Sequence, residues 1–242
     1  LSGSISAISS KSDAHRALIC AALSDAPTEL LLNGSSVDIE TTIRCLQSLG
    51  AAFAVSEHSI SVSPMQSAAK TAALNCEESG STLRFLLPVA AALGCQANFT
   101  GRGRLPQRPV SPLKEELEAH GCQLDRALLP IALSGQLQSG VFTLPGNVSS
   151  QFLTGLLLCF PLLPEGGEIA LTMPLESAGY VEMTIQTMRR FGVDVQRTKR
   201  GFRVAPGQRY RSPGRLEICG DWSSGAFWLC AGALSGEITC RN

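Results

Sequence analysis

The sequence lacks the common signatures of a metal or nucleotide site. Its three histidines show no metal-ligand spacing, and neither a His-Glu-x-x-His nor a Cys-x-x-Cys motif is present. No Gly-x-x-x-x-Gly-Lys-Ser/Thr loop occurs, and Gly101-Arg102-Gly103 does not continue into the glycine pattern that opens a dinucleotide-binding helix. We therefore predict no metal site and no nucleotide held by these loops.

An excess of charge and a long apolar run are also missing. Twenty basic residues balance twenty acidic ones, so no overall field favours nucleic acid or an anionic membrane as a partner. The longest apolar run, residues 152–163, is shorter than the about 20 residues that cross a bilayer. Any recognition of an anion must therefore be local.

The nine cysteines form an odd number and are scattered singly through apolar segments. This pattern predicts reduced, mostly buried residues in a cytoplasmic protein. They are Cys20, Cys45, Cys76, Cys95, Cys122, Cys159, Cys219, Cys230 and Cys240.

A unit of about 71 residues occurs three times. Gly50, Gly121 and Gly192 each follow an amphipathic pattern, with an apolar residue four positions earlier, as expected for a helix that ends at a glycine. The residues after each glycine predict the start of a half-buried strand. The three predicted strand starts are Phe53–Val55, Cys122–Leu124 and Val193–Val195.

The other half of each unit is apolar nearly all round and follows a serine-rich turn. Residues 17–23, 85–93 and 152–163 therefore predict buried helices. A helix start leaves backbone N–H groups unpaired and carries a partial positive charge, so three such starts predict an anion site. The alternative is that Ser12, Ser81 and Ser150 are simple N-caps.

Cations lie close to these turns. Six of them form a possible clamp for two anions: Lys11, Arg16, Arg84, Arg102, Arg104 and Arg108. Gly80, between two serines, would let a ligand approach the backbone closely, although an ordinary turn glycine is the alternative.

These motifs, taken in order, resemble the N-terminal half of the EPSP synthase family of enolpyruvyl transferases. The resemblance spans essentially the whole chain. It rests on Ser10-Lys11-Ser12 with Arg16, Ser79-Gly80-Ser81-Thr82-Leu83-Arg84, Gln107-Arg108-Pro109-Val110, Ser149-Ser150-Gln151-Phe152-Leu153-Thr154, Ser177 with Tyr180, and Gly220-Asp221-Trp222-Ser223-Ser224.

The resemblance implies an α/β fold of the inside-out α/β barrel type, with three βαβαββ repeats around buried parallel helices. It implies that residues 1–10 form a strand segment at a hinge, that 11–218 form the shikimate 3-phosphate domain, and that 219–242 begin a second domain. The family transfers the enolpyruvyl group of phosphoenolpyruvate to the 5-hydroxyl of shikimate 3-phosphate and releases phosphate, without a cofactor. A monomer that binds substrate but needs the second domain for turnover is expected.

The resemblance also implies roles for individual residues. Lys11 would contact both substrates and act in catalysis. Shikimate 3-phosphate would be bound by Lys11, Ser12, Arg16, Ser149, Ser150, Gln151, Ser177 and Tyr180. Phosphoenolpyruvate would be bound by Lys11, Gly80, Arg84, Arg108 and Gln151.

Three other functions stay open on the sequence. A UDP-N-acetylglucosamine enolpyruvyl transferase shares the architecture and the chemistry, but it usually has Lys-Asn where this chain has Lys11-Ser12. A non-catalytic metabolite-binding domain is a second alternative. An RNA-end-processing relative is a third, and it would need a basic surface that the charge balance does not supply.

Overall fold

The computed structural model describes residues 2–241 and shows three similar α/β units followed by part of a fourth. The chain begins with β1 (Ser2–Ser6), which lies outside the first unit. The first unit contains α1 (Lys11–Ala22), β2 (Thr28–Leu31), α2 (Val37–Leu49), β3 (Ala52–Val55) and β4 (Ser59–Ser63). The second contains β5 (Thr71–Asn75), α3 (Gly80–Ala92), β6 (Gln96–Thr100), α4 (Leu113–Ala119), β7 (Cys122–Leu124) and β8 (Ile131–Gly135).

The third unit repeats this order of elements. It contains β9 (Val141–Pro145), α5 (Ser150–Cys159), β10 (Gly167–Met173), α6 (Ala178–Arg190), β11 (Gln196–Arg197) and β12 (Gly201–Val204). The chain continues through β13 (Arg215–Glu217), α7 (Trp222–Ser235) and β14 (Glu237–Arg241). Two short 3₁₀ turns, Leu105–Gln107 and Phe160–Leu162, complete the description.

Each unit builds a four-stranded sheet with the same strand order. The orders are β13-β2-β4-β3, β5-β6-β8-β7 and β9-β10-β12-β11, and the first two strands of each sheet are parallel. In the first unit the leading strand is β13, which is contributed from the far end of the chain. Thus the third unit is followed by the strand that completes the first.

The helices lie inside and the sheets lie outside, as the resemblance implied. Almost every residue of α1, α3 and α5 is buried, whereas α2 and α6 bury one stripe. The sheet strands alternate a buried face with an exposed face, because one face of each sheet packs on the inner helices. This confirms that the three all-apolar segments form buried helices.

The predicted helix, glycine and strand sequence holds in two units and shifts in the third. Gly50, Gly121 and Gly192 have φ of +118°, +95° and +77°, the left-handed backbone that ends a helix. β3 and β7 follow the first two glycines as predicted. The strand predicted at Val193–Val195 is wrong, because β11 begins at Gln196. Both valines are nevertheless buried, on either side of the exposed Asp194. Their side chains therefore alternate as in a strand, although residues 193–195 are not paired with a neighbouring strand.

The last elements form a separate half-unit, made of β1, α7 and β14. β1 pairs with β14 in a parallel two-stranded sheet, and α7 packs on β14. Although α7 is as apolar as the buried helices, Trp222, Phe227 and Leu234 are 78%, 80% and 87% exposed. No helix within residues 2–241 is long and apolar enough to cross a membrane.

Six of the nine cysteines are buried, and all nine are free thiols. This confirms the prediction of reduced, mostly buried cysteines. Among the described residues, no group of three His, Cys, Asp or Glu side chains is placed to hold a metal ion.

Candidate anion site at the helix starts

The starts of the three inner helices meet at one cavity of about 560 Å³. α1, α3 and α5 all contribute to it, together with the start of α6 and the turn that begins α7. It is lined by Lys11, Ser12, Arg16, Ser81, Phe85, Arg108, Val148, Ser149, Ser150, Gln151, Ser177, Tyr180, Asp221 and Ser223. Most of the residues expected to bind substrate thus share one cavity.

The N-caps of the inner helices are not Ser12, Ser81 and Ser150, the serines of the alternative prediction. Ser10, Ser79 and Ser149 cap α1, α3 and α5, and their hydroxyl oxygens accept from backbone N–H groups of the first turn. Ser12, Ser81 and Ser150 lie one or two residues further on. The cap assignment for these three is therefore wrong, since the capping positions are already filled.

Two of these three hydroxyls have no hydrogen-bond partner in the part of the chain that the structure describes. The hydroxyl of Ser81 accepts a 3.1 Å hydrogen bond from Nε2 of Gln151, which links α3 to α5. Those of Ser12 and Ser150 form no hydrogen bond with any described residue, and both serines line the cavity. They are free to donate to a bound anion.

Lys11 reaches the cavity from the first residue of α1 and is held by a carboxylate. Its Nζ lies 2.8 Å from Oδ2 of Asp38, in the first turn of α2, and the lysine side chain is half exposed. The sequence motifs did not predict a role for Asp38. The pair keeps the ammonium beside the cavity while leaving two of its three donors for a ligand.

Arg16 is the most deeply buried cation of the site. It is 2% exposed, and burial lowers the pKa of its guanidinium to about 10. It stacks 5.1 Å from the centre of the Phe85 ring. Its donors reach the carbonyl oxygens of Ser12 and Tyr180 and the hydroxyls of Thr154 and Thr184. Four of its five N–H groups are therefore used, three of them to tie α1 to α5 and α6 and one within α1, and one remains.

Arg84 and Arg108 converge on Gly80. A Cβ added at Gly80 would lie 2.8 Å from Nη1 of Arg84 and 2.9 Å from Nη1 of Arg108. Burial, and then the charge of Arg108, lower the pKa of Arg84 to about 10. Neither guanidinium has a carboxylate within ion-pair distance in residues 2–241. Two like charges held together without a counter-ion make this a strong place for an anion.

The other two arginines of the loop lie elsewhere. Arg102 pairs with Glu77 and Glu78 at the surface, and Arg104 precedes the 3₁₀ turn without reaching the cavity. Gly80 and Arg84 adjoin the cavity through Arg108 rather than lining it. Of the six predicted cations, three line the cavity, one adjoins it and two lie elsewhere.

Ser177 and Tyr180 enter from α6. Ser177 takes left-handed backbone angles, φ 55° and ψ 38°, at the position before the helix, which is uncommon for a residue other than glycine. Tyr180 is 48% exposed, so its ring is available to pack against a ligand. The strained turn aims the start of α6 at the cavity.

A buried hydrogen-bond chain that sequence reasoning missed connects the helices behind the cavity. Nδ1 of His15 lies 2.7 Å from Oγ1 of Thr42, which lies 2.7 Å from Oγ1 of Thr82, which donates to Ser79. Thr154 and Thr184 form a second hydrogen-bonded threonine pair, beside Arg16. Thr42 and Thr184 lie two repeats apart, so an alignment of the three units could have identified them.

The fold and this cavity define a class of α/β domain that presents helix N-termini and arginines to small anions. The chain belongs to the EPSP synthase family: the family model described as EPSP synthase (3-phosphoshikimate 1-carboxyvinyltransferase) matches residues 1–242.

Individual relatives agree with that family. A 3-phosphoshikimate 1-carboxyvinyltransferase of Clostridium kluyveri is 40% identical over the whole of this chain, and one of Clostridium perfringens is 37% identical. The chain spans 58% of the length of both. The solved structure of EPSP synthase from Acinetobacter baumannii matches 99% of the chain with a TM-score of 0.83 at 20% identity, and 54% of that structure is covered. This structural likeness shows the shared fold.

Proposed function

We propose that this chain is the substrate-binding part of a 3-phosphoshikimate 1-carboxyvinyltransferase. That enzyme transfers the enolpyruvyl group of phosphoenolpyruvate to the 5-hydroxyl of shikimate 3-phosphate and releases phosphate. The observation that carries the proposal is one cavity at which three helix starts, three cations and two serine hydroxyls without a partner among the described residues meet, with Arg84 beside it.

We assign the two substrates to different parts of the cavity and its surroundings. Charge-assisted donors suit a phosphate and two carboxylates, because they strengthen with the negative charge of the acceptor. On the side of α1, α5 and α6, shikimate 3-phosphate is bound by Lys11, Ser12, Arg16, Ser149, Ser150, Gln151, Ser177 and Tyr180. Phosphoenolpyruvate is bound near α3 by Gly80, Arg84 and Arg108, together with Lys11 of α1 and Gln151 of α5.

Charge stabilisation is the contribution of this part of the protein to catalysis. Lys11, placed between both substrates, offsets the negative charge that shifts as the hydroxyl attacks the enol carbon. Asp221 is the one carboxylate among the described residues that line the cavity, and its oxygens already accept from Ser223 and Ser224. Proton transfer therefore falls to groups outside this chain, and the chain alone binds without turnover.

We further propose that α7 is covered by the remainder of a longer, monomeric, cytoplasmic protein. The exposed apolar side chains of Trp222, Phe227 and Leu234 support this, because such a patch is costly to leave in water. The relatives, of which the chain spans 58%, are long enough to supply that cover.

Replacing Ser12 and Ser150 by alanine is expected to abolish most binding of shikimate 3-phosphate without loss of stability. Neither hydroxyl bonds to another residue between 2 and 241, so its removal breaks no hydrogen bond of the fold there, while a bond to phosphate is worth about tenfold in affinity or more. Calorimetric titration measures the affinity and thermal unfolding measures the stability.

Ser63→Ala, on the exposed face of β4, is the matched control. UDP-N-acetylglucosamine is titrated in parallel, since binding of this sugar nucleotide in place of shikimate 3-phosphate would favour the related transferase. Unchanged affinity in the double variant would contradict the assignment of the phosphate site.

Gly80→Ala is expected to fold normally and to weaken the binding of phosphoenolpyruvate. The added methyl group meets the ends of two flexible arginine side chains, which can move at little cost to stability. Moving them separates the guanidiniums that hold the carboxylate. The free energy of unfolding, measured by thermal denaturation, should stay within about 0.5 kcal/mol of the parent value. The loss of affinity is measured by titrating phosphoenolpyruvate into the complex with shikimate 3-phosphate. An unaltered affinity would show that the anion lies away from Gly80.

A further inference from the structure

Asp13 is a buried carboxylate that the proposed reaction does not use. It lies in the first turn of α1, directly after Lys11 and Ser12, and is 4% exposed. It does not line the anion cavity but a neighbouring cavity of about 750 Å³, which shares Ser12, Ser177, Tyr180, Asp221 and Ser223 with it. A buried acid so close to the site needs a structural reason.

The carboxylate connects three parts of the molecule. Oδ1 accepts from the hydroxyl of Thr187 on α6 at 3.1 Å, and Oδ2 accepts from the backbone N–H of Cys219 at 3.2 Å. Nη1 of Arg190, also on α6, lies 3.8 Å from Oδ2. Asp13 therefore joins α1 to α6 and to the segment that leads into α7.

The contact at Cys219 lies where the chain passes twice between the three units and the half-unit. We call residues 7–10 and 218–221 the two connectors. They run side by side, because Ser10 donates to Cys219, Asp221 donates to Ile8, and Ser9 bridges Gly220 in antiparallel register. The Asp13 side chain joins this pair of connectors to α1 and α6.

The second connector ends in cavity residues. Asp221 and Ser223 line the anion cavity together with Ser12 and Ser177. The place of Asp221 and Ser223 in this lining depends on where the second connector lies. A bond from α1 to the N–H of Cys219, two residues before Asp221, sets that position.

We propose that Asp13 is a positioning residue that fixes the second connector, and with it the half-unit, against the substrate cavity. Its effect on substrate binding rests on the proposed function, whereas its effect on the connector does not. The negative charge suits the place, since it lies at the N-terminal end of α1 and beside Arg190.

The test is amide hydrogen exchange on the full chain, followed by nuclear magnetic resonance, in Asp13→Ala and Asp13→Asn. In Asp13→Ala we expect the amides of Cys219 and Asp221 to exchange about tenfold faster or more, because the charged acceptor is lost. The amide of Val89, buried in α3, should be unchanged. Asp13→Asn retains an oxygen for the Cys219 N–H and should recover most of the protection.

Binding of shikimate 3-phosphate is measured on the same variants. The affinity should be several-fold weaker in Asp13→Ala and recovered in Asp13→Asn, although the side chain does not line the cavity. Asp25→Ala is the matched control, since Asp25 also accepts from a backbone N–H, that of Ser212, but away from the connectors. If Asp13→Ala does not fold, Asp13→Ser takes its place.

Two results would overturn the proposal. Unchanged exchange at Cys219 would show that Asp13 does not hold the connector, and equal acceleration at Val89 would show that it only stabilises the fold. If the parent chain fails to bind shikimate 3-phosphate, the proposed function fails, and the exchange at Cys219 still decides the role of Asp13.

Discussion

Gly155→Ala should lower the free energy of unfolding by about 2–3 kcal/mol. Gly155 lies inside α5 where that helix packs on α3, and an added Cβ would overlap the carbonyl oxygen of Arg84 and lie 3.1 Å from Cγ of Pro88. Both obstacles belong to a rigid helix, so the two helices must move apart. This cost exceeds the about 1 kcal/mol that alanine gains over glycine in a helix.

The same substitution should impair ligand binding. Ser150 and Gln151 lie one turn before Gly155, and Arg84 lies opposite, so separation of the helices widens the cavity between them. Chemical denaturation and calorimetric titration measure the two effects.

Gly179→Ala in α6 is the matched control, because among the described residues no atom beyond its chain neighbours and its own helix backbone lies within 4 Å of the added Cβ. It should leave stability unchanged or raise it by up to about 1 kcal/mol. Equal stabilities of the two variants would contradict the close packing of α3 on α5.

His15 should make the chain sensitive to acid. Burial lowers the pKa of His15 to about 3, from an ordinary value near 6.5, and Nε2 is buried without a hydrogen-bond partner among the described residues. The hydroxyl of Thr82 donates to Ser79, so Thr82 accepts from Thr42, and Thr42 accepts from Nδ1–H of His15. The folded chain therefore holds the neutral imidazole with its proton on Nδ1.

The sign of the effect follows from proton uptake. Between pH 6.5 and about 3 the unfolded chain binds a proton at His15 that the folded chain does not, so acid favours the unfolded state. The stability that His15 contributes is complete above pH 6.5. It should fall by about 1.4 kcal/mol for each pH unit below that value.

The measurement compares denaturation curves of the parent and of His15→Asn between pH 7 and about 4.5. Other groups titrate alike in both chains, so the difference in slope belongs to His15. Nitrogen chemical shifts of the ring identify the protonated nitrogen independently. Equal slopes in the two chains would show that His15 is protonated, or solvated, in the folded state.

The sequence anticipated the fold because its signals are local and repeated. A glycine with left-handed backbone angles ends a helix whatever surrounds it, and an apolar segment without a polar face must be buried. The three inner helices and the ends of α2, α4 and α6 could therefore be read directly. The strand at Val193–Val195 was misread, because an alternating buried pair looks the same with or without a partner strand.

The sequence predicted most of the polar residues that line the cavity, but not the hydrogen bonds and ion pairs that they form. Lys11, Ser12 and Ser150 are near helix starts by sequence, so their convergence followed once the helices were parallel. Arg102 was also predicted to lie at the anion site, but it forms ion pairs with Glu77 and Glu78 instead. Whether a cation faces a ligand or an acid depends on neighbours from other units.

By itself, the sequence determined the number of units, the buried helices, the polar turns that begin them and the family to which the chain is similar. Only the tertiary structure decided that β13 completes the first sheet, that Asp38 holds Lys11, and that Asp13 reaches Cys219. Periodicity and capping act over a few residues, and so they can be read along the chain. Strand pairing and buried charge partners join residues far apart in sequence, and the packing of the whole molecule selects them.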